Sequence, residues 1–172
     1  EAVVFAGKEG GITCLSPSGP EQKRAELLFA LQTAGSTERR FLRVIYGAVD
    51  SRNYTCAELE VNTGTLRILK VEDGLATELA SGDSGIELAP LAHVGSSGFM
   101  YAPYSGPLYI LKVNIDENGI TASVVTADTL ELGAAIEGTL LHHPSVPDAG
   151  AAGFAVINAP GVRLIGFRLT GQ

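Results

Sequence analysis

This 172-residue sequence lacks several features, and the lack of cysteines and of long apolar runs limits the classes of protein to which it can belong. There is no Trp, there are only two cysteines, Cys14 and Cys56, and no apolar run approaches the roughly 20 residues that a membrane-spanning helix requires. Two cysteines are too few for a disulfide-stapled scaffold, although one bridge between them stays open. We therefore expect a core that is held by apolar packing, and no membrane insertion.

Basic residues are also scarce. The chain has 12 Lys and Arg against 19 Asp and Glu, which gives a net charge of −7. Such a chain repels the phosphates of nucleic acid and offers no basic patch, so we expect no nucleic-acid partner. With 45% hydrophobic residues, the sequence is long enough to bury one substantial core. We predict a single domain over residues 1–172.

The sequence is rich in short alternating runs that are separated by turn residues. The clearest stretch, residues 52–81, contains strand-forming runs at 53–61, 65–71 and 75–80. Gly64 and the pair Asp73-Gly74 supply tight turns between them, because glycine readily takes a positive φ. A meander of this kind cannot bury its apolar side alone, so we expect a second sheet.

Similar runs occur along the rest of the chain. The run 25–33 also has helical propensity, but it is short and lies among strands, so we predict a strand there. Roughly 11 to 13 short strands with regular turn signals are typical of an all-β sandwich or barrel. Outside the meander, the predicted strands are Val3–Ala6, Ile12–Leu15, 25–33, 39–48, 86–91, 108–116, 120–126, 139–142, 153–158 and 162–170.

The segment 50–81 resembles the central strands of concanavalin A-like lectin/glucanase domains, the superfamily that includes laminin G-like modules. Residues 152–171 resemble the closing strands of that superfamily, in which the last strand runs beside the N-terminal one. The resemblance implies a two-sheet antiparallel jelly-roll β-sandwich, and the sequence departs from it at 92–107 and 127–150. The residues of the first segment that carry it are Asp50, Asn53, Tyr54, Gly64, Leu66, Ile68, Lys70, Val71, Asp73 and Gly74.

Some members of this superfamily are hydrolases, which carry paired acids in a Glu–x–Asp–x–x–Glu pattern or a near variant. A retaining glycosidase needs two carboxyl groups about 5–5.5 Å apart. The nearest candidate is Glu58-Leu59-Glu60, but no third acid continues the pattern. We predict a solvated strand face at Glu58 and Glu60, no catalytic residue, and a chain that is not an enzyme.

The resemblance also implies calcium as an alternative, because lectin and laminin G-like relatives often bind it at the sandwich rim. Calcium takes six to eight oxygen ligands, whereas isolated aspartates usually form turns. The adjacent pair His142-His143 faces opposite sides of a strand and cannot easily share a metal. We predict no metal and no other cofactor. The isolated loop acids are Asp50, Asp73, Asp83, Asp116, Asp128 and Asp148.

The segment 92–107 has no periodicity and combines Gly, Ser and Pro with aromatic residues. Loops of this composition are either functional or tucked under the fold, in which case the rings fill the core. Tyr rings can stack on sugar faces and offer a hydroxyl group. The candidate ligand-binding residues are therefore His93, Ser96, Ser97, Tyr101 and Tyr104.

Together these observations predict a non-catalytic recognition or adhesion module for glycans. We expect it to act outside a cell or on a particle surface, with a glycan or a surface protein as its partner. The first alternative is a structural domain of a virion or appendage, such as a phage capsid decoration or tail domain, which assembles as a homo-oligomer or with other subunits. The second alternative is a glycoside hydrolase.

Overall fold

The computed structural model of the chain describes residues 3–6, 12–16, 22–31, 38–90, 107–127, 135–147 and 149–171. Side chains are described from Arg24 onward, apart from that of Ala127. All regular structure in these ranges is β-strand. No helix in the described residues is long and apolar enough to cross a membrane.

The described chain contains thirteen strands, and every strand pair is antiparallel. They form one sheet in the order β1-β2-β12-β4-β5-β6-β7 and another in the order β10-β9-β8-β3-β13, with β11 paired to β9. The strands are β1 (Val3–Ala6), β2 (Ile12–Ser16), β3 (Gln22–Leu31), β4 (Phe41–Asp50), β5 (Asn53–Glu60), β6 (Thr65–Glu72), β7 (Leu75–Asp83), β8 (Leu108–Asp116), β9 (Gly119–Ala127), β10 (Ile136–Glu137), β11 (Leu141–His143), β12 (Ala151–Ile157) and β13 (Val162–Gly171).

The core lies between the two sheets and follows the period of two along each strand. In the seven-stranded sheet, Leu42, Leu59 and Leu66 are partners across β4, β5 and β6, and all three are buried. The facing sheet contributes residues such as Phe29 and Leu111 to the same cluster. The predicted fold class is thus confirmed: two antiparallel sheets form a jelly-roll-like sandwich.

The described part of the run 25–33, residues 25–31, is a strand, as predicted, and belongs to β3, which lies between β8 and β13. Its alternate residues Ala25, Leu27 and Phe29 are fully buried, whereas Glu26 and Leu28 between them are partly exposed. This alternation matches a sheet with one face in the core and does not match a helical period.

The strand that we predicted at 86–91 is wrong for its described part, since residues 86–90 form no strand. In this stretch, backbone groups form hydrogen bonds with the side chain of Tyr109 and not with the backbone of a neighbouring strand. The Tyr109 hydroxyl accepts the N–H of Ala89 at 2.7 Å and lies 3.2 Å from the carbonyl oxygen of Glu87. Residues 86–90 are therefore attached to β8 through one phenol group.

The expected pairing of the last strand with the N-terminal one is also wrong. β13 pairs with β3, whereas β1 pairs with β2 in the other sheet. The penultimate strand, β12, lies between β2 and β4, so the last two strands belong to different sheets. The turn between them contains Asn158 (φ 45°) and Gly161 (φ 73°), and it carries the chain across the sandwich.

Candidate functional site

Five charged residues, with Glu78 at their margin, form a continuous network on the outer face of the seven-stranded sheet. Arg43 on β4, Glu58 on β5 and Arg67 on β6 are direct cross-strand partners in the sheet register. Their neighbours Val44, Ala57 and Ile68 belong to the core, so these three point away from it. Arg39 and Glu60 extend the network at one end. We call the set the arginine–glutamate ladder; its members are Arg39, Arg43, Glu58, Glu60 and Arg67.

Glu58 is held between two guanidinium groups. Arg43 donates from Nε to Glu58 Oε2 at 2.7 Å, and its Nη2 lies 2.6 Å from the same oxygen. Arg67 donates from Nη1 to Glu58 Oε1 at 3.3 Å. The carboxylate on β5 therefore links the strands on both of its sides.

Glu60 is held in the same way by Arg39 and Arg67. Arg39 donates in bidentate fashion, from Nε to Oε1 at 2.8 Å and from Nη2 to Oε2 at 2.6 Å. Arg67 adds a bond from Nη2 to Oε2 at 3.0 Å. The bonds from Arg39, followed by those from Arg67, lower the pKa of Glu60 to about 2. This carboxylate is consequently ionised throughout the physiological pH range.

The prediction of a solvated strand face at Glu58 and Glu60 is wrong, because each residue is only 4% exposed. The acids do lie on the outer face, but Arg39, Arg43 and Arg67 bond to them and cover them. The sequence contains a signal that could have predicted this pairing. The turn at 61–64 sets Glu60 opposite Thr65, which places Glu58 opposite Arg67.

An apolar patch lies beside the ladder on the same face. It contains the buried residues Ile45, Cys56, Leu69, Ala48 and Ala155, with Tyr54 and Ala151 packed against them. The Tyr54 hydroxyl receives a bond from Arg43 Nη1 at 3.0 Å, so the phenol joins the patch to the ladder.

Cys56 is a free, buried thiol in this patch, and burial raises its pKa to about 12. It is therefore a small hydrophobic residue in the structure, with no bridge to Cys14.

The candidate binding residues His93, Ser96, Ser97, Tyr101 and Tyr104 lie outside the described residues. Their role stays a prediction. The structure shows only the chain that leads into this segment, which is the stretch 86–90 attached to Tyr109.

The aspartates within the described ranges lie at turns, and three of them accept a backbone N–H group of the same turn. Asp50 accepts the backbone N–H of Arg52 at 2.7 Å, and this bond is the main reason why its pKa is lowered. Asp83 and Asp116 accept backbone N–H groups two residues further along the chain, at 2.6 and 2.7 Å. Asp73 itself lies in a turn with a φ of 52°. Asp128 and Asp148 lie outside the described residues.

The two histidines on β11 make separate local contacts. His142 Nε2 lies 3.1 Å from the carbonyl oxygen of Asn118, and His143 Nδ1 accepts the N–H of Ser145 at 3.2 Å. Among the described residues, no group of three or more His, Cys, Asp or Glu side chains could hold a metal ion.

No protein-family model matches the sequence, and no curated protein matches it. Solved structures are similar in fold. Carbohydrate-binding module CBM66 from Bacillus subtilis superposes with a TM-score of 0.61 at 14% identity, over 97% of this chain and 90% of that chain. Galectin LEC-6 from Caenorhabditis elegans has a TM-score of 0.53 at 9% identity, over 98% and 95%.

The exoplasmic/lumenal domain of VIP36, in a form bound to Ca²⁺ and Man3GlcNAc, superposes with a TM-score of 0.54 at 12% identity. The match covers 100% of this chain and 82% of that chain. At these identities the likeness concerns the fold alone.

Proposed function

We propose that this chain is a non-catalytic glycan-binding module, and that the arginine–glutamate ladder with Tyr54 is its recognition face. The observation that carries the proposal is a pair of buried acids, Glu58 and Glu60, bonded to arginine side chains that lie over them on an outer sheet face. Exposed charges must lose water before they can contact a sugar, which costs free energy. Glu58 and Glu60 have lost that water already on folding, so the guanidinium groups are held in position before any ligand arrives.

Guanidinium groups and a tyrosine ring can both contact a sugar, the first through hydrogen bonds and the second through its aromatic face. Arg presents N–H donors in a fixed fork, and sugar hydroxyl oxygens can accept from them. Tyr54 adds an aromatic ring that is partly exposed beside these donors. The fold similarity to a carbohydrate-binding module and a galectin supports the same function, and it supports a place in the concanavalin A-like superfamily. We expect the module to work outside a cell or in a lumenal compartment, including on cell or particle surfaces.

The acid pair in the ladder suits binding better than hydrolysis. A glycosidase needs one carboxyl group with a raised pKa, so that it can protonate the leaving oxygen. Glu60 has the opposite shift, to about 2, because Arg39 and Arg67 stabilise its charge. Glu60 therefore cannot supply a proton at neutral pH, and we propose that the chain has no glycosidase activity.

The segment 92–107 remains a second proposed binding element, through Tyr101 and Tyr104. A glycan array on four proteins separates it from the ladder: the parent, Arg67→Gln, the double variant Tyr101→Ala/Tyr104→Ala, and the control Arg168→Gln. Arg168 pairs with Glu26 on the other sheet, at 2.8 Å. We expect Arg67→Gln to lose binding by about tenfold, the scale of one good polar contact, while Arg168→Gln binds like the parent.

Two outcomes of the array decide the site and the function. If only the tyrosine variant loses binding, the ligand lies on the segment 92–107 and the ladder is not its site. If the parent binds no glycan on the array, the proposed function is wrong.

A structural domain that assembles with copies of itself or with other subunits is a second candidate function, and the open edge of the seven-stranded sheet favours it. β7 ends the described order of strands in that sheet, and residues 75–78 are all exposed, with Leu75 76% exposed. An open edge can pair with a strand from another chain. Light scattering tests this: a discrete oligomer, together with an empty glycan array, would favour assembly over recognition.

A further inference from the structure

We infer that the ladder selects acidic glycans and that the guanidinium groups of Arg43 and Arg67 hold a sugar carboxylate. This inference rests on the proposed glycan-binding function and adds the chemical class of the ligand. Three properties of the ladder support it: which side chains are accessible, which hydrogen-bonding groups are unused, and how the local charge is balanced.

The arginine side chains are the more accessible part of the ladder. The side chains of Glu58 and Glu60 are each 5% exposed, whereas those of Arg43 and Arg67 are each 19% exposed and that of Arg39 is 62% exposed. Arg has no acceptor atom. A ligand on this face therefore meets arginine side chains, which lie over acids that are already covered.

The hydrogen-bonding groups of the ladder are unevenly used. All four carboxylate oxygens of Glu58 and Glu60 already accept a bond from an arginine. Each guanidinium has five N–H donors. Arg39 uses two of them on Glu60, and Arg43 uses three, on Glu58 and Tyr54. Arg67 also uses three, on Glu58, Glu60 and Glu78. The ladder consequently has donors to spare, whereas each oxygen of Glu58 and Glu60 already accepts at least one bond.

This imbalance distinguishes a carboxylate from a hydroxyl group. A sugar hydroxyl also donates a hydrogen, and the oxygens of Glu58 and Glu60 that could accept it are covered and already bonded to arginines. A carboxylate is an acceptor alone and can take two parallel N–H bonds from a guanidinium. A sugar carboxylate therefore uses the spare arginine donors and brings no donor of its own. A sugar hydroxyl uses them as well, but its hydrogen needs an acceptor.

The local charge is balanced, in contrast to the acidic rest of the chain. Arg39, Arg43 and Arg67 stand against Glu58, Glu60 and Glu78, which leaves a charge of zero, because 3 − 3 = 0, on a chain whose net charge is −7. Glu78 lies 3.4 Å from Arg67 and its side chain is 50% exposed, so an incoming carboxylate can displace it. Because the rest of the chain repels anions, binding of an acidic sugar requires this local site.

The test compares each acid with its own methyl ester, which keeps the sugar and removes the charge. Digalacturonate supplies a uronate carboxylate and sialyllactose supplies a sialate carboxylate. Isothermal titration of the parent should show at least about tenfold tighter binding of one acid than of its ester, as expected for a charge-assisted bidentate pair. Which of the two acids binds identifies the source of the carboxylate. This comparison uses the parent alone and does not depend on the folding of any variant.

Variants then locate the carboxylate. Arg43→Gln and Arg67→Gln should each lower the affinity for the acid to that for the ester, while Arg168→Gln should leave the difference intact. Equal binding of acid and ester, with the array still positive, would overturn the inference and leave the proposed function standing. If the parent binds neither these sugars nor anything on the array, the proposed function falls and the inference falls with it.

Discussion

Gly74 is the residue on which the turn between β6 and β7 most depends. Gly74 has a φ of +82° and Asp73 a φ of 52°, so both central residues of this two-residue turn are left-handed. A side chain with a β-branch is strained in that conformation. We expect Gly74→Val to lower the free energy of unfolding by roughly 1–2 kcal/mol, measured by urea denaturation.

A control for this substitution is Gly166→Ala on β13. Gly166 does not have a positive φ, and no atom lies within 4 Å of a Cβ added there. It should change stability by less than about 0.5 kcal/mol. A Gly74→Val variant as stable as the parent would contradict the turn geometry.

Glu60 should make the stability of the protein depend on pH in the acid range. Its folded pKa is about 2, below the ordinary value of 4.5, because Arg39 and Arg67 bond to it. Its contribution is therefore complete above pH 4.5 and disappears as the pH falls through 2. We expect Glu60→Gln to cost about 2 kcal/mol at pH 7, because it leaves partly buried arginines without their charge partner.

The check is a pair of urea titrations at pH 7 and near pH 2. The difference between the parent and Glu60→Gln should shrink at the lower pH. Glu117, which is exposed in a turn, provides the control Glu117→Gln, with little change at pH 7. A constant difference between the parent and Glu60→Gln at both values would show that the charge of Glu60 is not the cause.

At the scale of elements, the ladder ties β4, β5 and β6 together through side chains. A double-mutant cycle on Arg43→Ala and Glu58→Ala measures this link in the free energy of unfolding. We expect a coupling of about 1–2 kcal/mol, since the pair is mostly buried and closely bonded. The control pair Lys112–Glu137, which is more exposed and 3.4 Å apart, should couple by less than about 0.5 kcal/mol. Equal coupling in both pairs would mean that the ladder adds nothing beyond an ordinary surface contact.

The strands were predictable from the sequence wherever turn residues next to them in the chain mark their ends. Asp73-Gly74 and the turn at 61–64 give the meander its strands, and the register of β5 with β6 follows from the latter turn. The register of β6 with β7 follows from Asp73-Gly74 as far as Leu69, beyond which a β-bulge shifts it by one residue. The strand predicted at 86–91 fails because its backbone bonds to the hydroxyl of Tyr109, about 20 residues away, and no nearby residue signals that contact. The turn at 61–64 signals the pairing of Glu58 with Arg67, but the burial of Glu58 also depends on Arg43, whose register on β4 no tight turn of this kind indicates.

At the scale of the whole molecule, the sandwich was predictable and its strand order was not. Many short alternating runs require two sheets, because each run has one apolar face to bury. The placement of β12 and β13 in different sheets depends on the crossing at 158–161 and on the packing of the whole core. The same limit holds for the site: the residue types of the ladder are visible in the sequence, but their convergence requires the register of three strands.

The whole molecule should also be insensitive to metal removal. Asp50, Asp83 and Asp116 bond to backbone N–H groups in their own turns, which accounts for their carboxylates without calcium. Melting temperatures with and without a chelator should agree. A decrease of about ten degrees on chelation, more than roughly 1 kcal/mol would cause in a domain of this size, would contradict this prediction.

The most direct test of the central claim follows the arginine side chains themselves while a sugar binds. In a nitrogen-15 NMR titration with digalacturonate or sialyllactose, whichever acid binds more tightly, the Nε–Hε signals of Arg43 and Arg67 should shift and saturate, while that of Arg168 should stay in place. Saturable binding with unchanged Arg43 and Arg67 signals would contradict the assignment of the ladder as the recognition face.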